Sequence, residues 1–152
     1  MEQDLLESID GTGTFDRADP RSALSAFYLA FNQRDLAAMS RVWLAGDEPS
    51  MSNPVGGIAR GWSEISAIYE RIFSGDARVQ VEFHDYSIHE LGGGFVAVGR
   101  ERGTLVRGEM RLELAFRTSR VFRADRDEWR QLHHHGSIDV PASLDRYQSA
   151  VP

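Results

Sequence analysis

Two periods divide the chain. In its first half apolar side chains recur every three or four residues, and in its second half every two. Leu24, Phe27, Tyr28 and Phe31 fall at i, i+3, i+4 and i+7, one stripe of a helix that Asp19 caps and Pro20 opens. Asp35 can cap a second, short helix carrying Leu36, Met39, Val42 and Trp43, stopped by the turn residues Gly46, Asp47, Glu48 and Pro49. A short extended piece over 51–54 leads into a loop over 55–61. Trp62, Ile65, Ile68, Tyr69, Ile72 and Phe73 then mark a third amphipathic helix, which Ser74, Gly75 and Asp76 end.

Strands follow. The segments 79–91, 95–106, 110–122 and 129–138 are separated by Gly92-Gly93-Gly94, by Arg107-Gly108 and by 124–128, all of hairpin length. Three helices followed by a four-stranded antiparallel meander, with one short early strand, predict an α+β fold whose helices lie on one face of a curved sheet. Residues 1–18 read as an arm, either loose or packed against a neighbour. Residues 19–140 form the domain, and 141–152 a short tail.

One face of the third long strand reads Met110, Leu112, Leu114, Phe116, Thr118, Arg120, Phe122, and the opposite face carries Arg111, Glu113, Arg117, Ser119 and Arg123. Arg120 therefore points inward. A guanidinium keeps its charge, so on an apolar face it needs a buried carboxylate, a water-filled cavity or an anionic ligand. Arg100 shares its strand face with Val96 and Val98 and is a second candidate for an anion clamp, or else a solvated or cross-strand paired arginine.

The last strand carries His133, His134 and His135, whose alternate members face opposite ways. His134, on the side of Leu132 and Ile138, is expected inside. It is either a hydrogen-bonded core histidine or a neutral imidazole able to donate to a ligand or move a proton. His133 and His135 go with Trp129 and Gln131 to the other face. Their H-x-H spacing suits a metal, but a third ligand would have to come from His84, His89 or Asp85, so no metal is expected. Tyr28, Asn53 and Trp62 are weaker candidates at helix and loop positions near a cavity mouth.

Composition narrows the chemistry. At 152 residues, 41% hydrophobic and 26% charged, the chain suits one domain with a real core. It has no cysteine, which removes thiolate nucleophiles and cysteine metal sites, and no lysine, which removes Schiff-base chemistry. A net charge of -6 argues against a nucleic-acid partner. No apolar run suits a membrane span and the first ten residues are acidic, so a cytoplasmic protein is expected. Gly-x-Ser-x-Gly, phosphate-loop and dinucleotide motifs are absent, and no cofactor is expected.

The runs Asn53-Pro54-Val55-Gly56-Gly57, Arg60-Gly61-Trp62, Arg117-Thr118-Ser119-Arg120-Val121-Phe122 and the stretch from Trp129 to Ser137 resemble the SnoaL-like branch of the nuclear transport factor 2-like superfamily. The resemblance implies a cone-shaped sheet and three helices enclosing a cavity, and a homodimer through the sheet. Ketosteroid isomerases of that superfamily hold their catalytic aspartate where this chain has Asn53, and an amide cannot abstract a proton. Their oxyanion tyrosine and second acid fall at Phe27, one step from Tyr28, and at Thr118. The chain is more similar to the association domain of calcium/calmodulin-dependent kinase II. There, arginines comparable to Arg120 and Arg100 line a pocket for small carboxylates, and a third falls at Gly136.

Together these readings predict a dimeric domain that binds a small anionic or carbonyl-bearing molecule through Arg120, Arg100 and His134, with Asn53, Trp62 and Tyr28 near the cavity mouth. One alternative is a cofactor-independent lyase, isomerase or cyclase with His134 as acid and base. The other is an oligomerisation scaffold without a ligand.

Overall fold

The computed structural model describes residues 7–54 and 56–139. Val55, the tail expected over 141–152 and the first six residues of the arm lie outside them.

Local chemistry sets the helix ends. Helix α1 (Pro20–Asn32) starts where the Asp19 carboxylate accepts from the Arg21 amide at 2.9 Å, and its proline has no donor to satisfy. Helix α2 (Leu36–Val42) starts where Asp35 accepts from the Ala38 amide at 3.0 Å. Helix α3 (Gly61–Ser74) ends under Arg34, whose guanidinium donates to the Phe73 and Gly75 carbonyls at 2.9 and 2.6 Å and so satisfies carbonyls that the helix leaves open.

Six strands form one curved, unclosed sheet: β1 (Ser50–Ser52), β2 (Ile58–Arg60), β3 (Arg78–Leu91), β4 (Gly94–Arg107), β5 (Met110–Asp125) and β6 (Glu128–Ile138), in the order β2-β1-β6-β5-β4-β3. All neighbours are antiparallel except β1 and β6, which run parallel. The α+β architecture matches the sequence expectation. The segment expected to be loop up to Gly61 is where it differs: Ile58, Ala59 and Arg60 form β2 against β1, a strand too short to show a period.

The helices cover one face. Phe27, Phe31, Trp43, Tyr69 and Phe73 form an aromatic cluster between α1, α2 and α3, and Tyr28 stacks on Phe83, which stacks on Tyr86. Two glycines on the inner face of β4 make room for this close fit. A Cβ at Gly99 would lie 2.7 Å from that of Tyr86, and one at Gly103 would lie 1.9 Å from the Gln80 carbonyl oxygen.

Two bulges reset the period of two. One extra residue in β3, between His84 and Ser87, places Asp85 at a left-handed φ of 49°. In β6, Val121 pairs with His133 while Phe122 pairs with Gln131, so Leu132 is the extra residue. Gln131 is therefore fully buried, on the same side as His134, where simple alternation from His134 puts Leu132.

The described part of the arm is tied to the sheet at two points. Ile9 exchanges two backbone hydrogen bonds of 2.8 Å with Phe83 on the edge strand and is buried, and at the other end the Trp129 indole donates to the Arg17 carbonyl at 3.2 Å. Among the described residues no helix is long and apolar enough to cross a membrane.

Candidate functional site

Arg120 lies inside, 1% exposed, in the middle of β5. Its direct cross-strand neighbours are Ala97 on β4 and His134 on β6. The guanidinium finds a partner for each nitrogen: Nη2 donates to Glu101 Oε2 at 2.6 Å, Nη1 to Gln131 Oε1 at 2.9 Å, and Nε to the Tyr28 hydroxyl oxygen at 3.3 Å. The Phe27 ring packs against it, its centroid 3.7 Å from Cζ. Of the three ways to keep an inward arginine, this protein uses the buried carboxylate.

The pair is closed by a third member. Tyr28, fully buried on α1, donates its hydroxyl to Glu101 Oε2 at 2.5 Å while receiving Arg120 Nε. Burial pushes the Tyr28 hydroxyl well above the usual tyrosine value, so it stays protonated and donating. For Arg120, burial pulls downward, but Tyr28, Glu101 and Tyr69 outweigh it and hold the guanidinium above its ordinary value. With Arg120 positive and Glu101 negative, the ion pair adds no net charge to the interior.

Beside the pair lie buried polar groups that no described residue satisfies. Thr118 Oγ1, Gln131 Nε2 and both ring nitrogens of His134 are buried and have no hydrogen-bond partner among the described residues. Each of these side chains is at least nine-tenths buried, and all project from the inner face of β5 and β6. Burial first, then the charge of Arg120, then His133 and His135 hold the His134 imidazole well below the usual histidine value. It is neutral at pH 7, with one nitrogen a donor and the other an acceptor. A Cβ at Gly136 would lie 3.3 Å from both His134 Nε2 and Pro54 Cγ, so the Asn53-Pro54 segment after β1 borders this corner.

The structure does not bring Arg100 to this corner. Its Val96 and Val98 face is the outer one, whereas Phe95, Ala97, Gly99 and Glu101 face the helices. Arg100 is half-exposed, ion-paired with Asp85 and donating to Asp139 at 2.8 Å, and it shares with Arg117, Ser119, His135 and Ser137 an outer-face groove of about 590 Å3. The sheet separates it from Arg120. Trp62 packs half-buried against the core in the first turn of α3, and Asn53 is half-buried beside β1. His133 receives or donates through Nδ1 at Ser50 Oγ, 2.7 Å away, and among the described residues no three histidines or carboxylates gather to hold a metal.

Glu101 and Gln131 were not visible as site residues in the sequence. The turn after Arg107 was the available signal, because pairing Arg107 with Met110 puts Ala97 opposite Arg120 and Glu101 on the same face. For Gln131 the bulge at Leu132 leaves no such signal.

The SnoaL-like domain family matches residues 21–143, and the chain belongs to it. Among solved structures it is similar to a nuclear transport factor 2-like superfamily protein from Salmonella enterica, at 22% identity over 78% of this chain and 87% of that one, with a TM-score of 0.71. It is also similar to a protein from Thiobacillus denitrificans assigned as a calcium/calmodulin-dependent protein kinase type II association domain, at 26% identity over 80% and 95% of the two chains, TM-score 0.65. A third is assigned as a dehydratase of the nuclear transport factor 2-like family, from Streptomyces avermitilis, at 22% identity over 82% and 96%, TM-score 0.70. No curated protein matches the chain.

Proposed function

We propose that this SnoaL-like domain binds a small neutral molecule bearing a carbonyl or hydroxyl group, held at its interior polar cluster by His134, Thr118, Gln131 and Arg120. The observation that supports it is the set of buried polar atoms without partners among the described residues, beside a self-neutralised ion pair. Leaving a buried donor or acceptor unmet costs about 1–3 kcal/mol each, a cost that a ligand oxygen or hydroxyl would remove. Arg120 contributes too: three of the five N–H groups of a guanidinium are used by Glu101, Gln131 and Tyr28. Of the two ligand classes expected from sequence, anionic and carbonyl-bearing, the second suits a cluster in which Glu101 already answers the cation.

The test is a set of thermal melts with cyclic ketones, enones and phenols, beside small carboxylates. A compound at roughly a hundred times its Kd stabilises by about 2.7 kcal/mol. The wild type should respond to members of the neutral set, and Thr118→Val and His134→Phe should lose the response. If no neutral compound moves the wild-type melt, the reading fails.

Catalysis is the second reading, favoured by the neutral imidazole that has no partner among the described residues. His134 would take a proton from a carbon next to the bound carbonyl, and Arg120 would stabilise the enolate, the chemistry of a cofactor-independent isomerase, lyase or cyclase. Proton exchange into a bound ketone in deuterium oxide, lost in His134→Phe, would support it. The outer sheet face, with its groove and exposed Val98, suits a homodimer contact. Sedimentation at several concentrations tests that, and a dimer that responds to no compound would leave a scaffold role.

A further inference from the structure

We infer that Glu101 sets the charge class of the ligand: by neutralising Arg120 it makes the interior site reject carboxylates, and a chain without that carboxylate would accept them. This rests on the reading of the interior as a ligand site and goes further, because it assigns a specificity role to one residue.

Glu101 sits on the inner face of β4 between Gly99 and Gly103, two positions where no side chain fits, with Phe83 opposite it on β3 and Phe116 opposite it on β5. Its carboxylate is therefore framed by rings and bare backbone. It is 6% exposed, and its Oε2 takes both Arg120 Nη2 at 2.6 Å and the Tyr28 hydroxyl at 2.5 Å. The carboxylate thus has a charge partner and a neutral donor.

An arriving carboxylate would find a single guanidinium already engaged. Two anions would then share one cation in a site with little water, and like charges so placed disfavour each other strongly. A carbonyl or hydroxyl oxygen brings no second charge. It can accept from a remaining Arg120 N–H, from the His134 donor nitrogen or from Gln131 Nε2, and a hydroxyl can donate to the other His134 nitrogen.

Glu101→Gln keeps the shape of the side chain and an oxygen that accepts from Arg120 and Tyr28, but removes the negative charge. Arg120 would then be a buried cation without a counter-charge, an unfavourable state that a small carboxylate relieves. The reversal is specific to the sign of the ligand.

The experiment compares wild type, Glu101→Gln and the double variant Glu101→Gln/Arg120→Met in acetate, formate, benzoate and, at the same ionic strength, chloride. Expected is no carboxylate-dependent rise for wild type, a rise of roughly 2–4 °C or more for Glu101→Gln over its value in chloride, and loss of that rise in the double variant. Where Glu101→Gln is too unstable to melt in chloride, recovery of its far-ultraviolet circular dichroism on refolding replaces the melt, and rescue by acetate counts as the rise. Equal carboxylate responses in wild type and Glu101→Gln, or none in either, would overturn the inference. The neutral compounds run alongside separate the two claims: a wild type that answers ketones, with a Glu101→Gln that ignores carboxylates, overturns the role of Glu101 and keeps the site. A Glu101→Gln that answers carboxylates, with a wild type that ignores ketones, supports Glu101 and overturns the neutral-ligand reading.

Discussion

Arg120 Nη2 and Glu101 Oε2 meet 2.6 Å apart across β4 and β5, in the layer between sheet and helices where apolar side chains dominate. The arginine reaches diagonally, since its direct partner on β4 is Ala97. That reach is possible because Ala97 and Gly99 leave the path clear, and it turns two charges that are costly to bury singly into one neutral unit.

Removing one partner should therefore hurt more than removing both. Arg120→Met, which leaves Glu101 buried without its cation, is expected to cost about 3–5 kcal/mol in urea unfolding. The double variant Arg120→Met/Glu101→Leu should cost clearly less than the two single variants summed, the non-additivity of groups in direct contact. Additive losses would mean that the two charges do not depend on each other.

Tyr28→Phe keeps the stack on Phe83 and takes away the hydroxyl that donates to Glu101 and accepts from Arg120. A loss of about 1–3 kcal/mol is expected, since two buried groups each lose a partner. Equilibrium unfolding of this variant beside wild type measures it, and a change inside the usual error would separate Tyr28 from the pair.

His134 gives the fold a dependence on pH. Its folded pKa lies well below the 6.5 of an ordinary histidine, so below pH 6.5 the unfolded chain takes up a proton that the folded chain refuses. Stability is thus full above about pH 6.5 and falls as the pH drops toward the folded value, by at most about 1.4 kcal/mol per pH unit for one group. His84 is shifted the same way, by burial and then Arg102, and being partly exposed adds a smaller share. Asp10 and Asp19 are lowered by hydrogen bonds from Thr12 and Arg21, so their contribution is lost only at more acid pH, below the ordinary carboxylate value of 3.8. Urea titrations of wild type and His134→Gln at about pH 7.5 and about pH 5.5 should show the variant losing less between the two.

These residues also mark how far the sequence could be read. Arg120 was legible because β5 alternates cleanly, with a polar outer face to define the inner one. β4 offers no such contrast: Phe95 and Ala97 stand on one parity, Val96 and Val98 on the other, and only the pairing register decides between them. That ambiguity hid Glu101 and misplaced Arg100. On β6 the period was sound at His134 and broke at the bulge before it, so Gln131 moved inside without any turn residue to announce it. The helices were easier, since Asp19-Pro20 and Asp35 carry their caps in their own side chains.

The most direct measurement of the interior site is nitrogen-15 NMR of the His134 imidazole, followed from about pH 7.5 to about pH 5.5 and then with each neutral compound that raises the melt. The expected result is a ring that stays more neutral than a histidine in water as the pH falls, assigned by its loss in His134→Gln, whose nitrogen shifts move saturably with the added ketone or phenol. A ring that titrates near 6.5 like a histidine in water, and that no neutral compound perturbs, would contradict a buried polar site built to receive one.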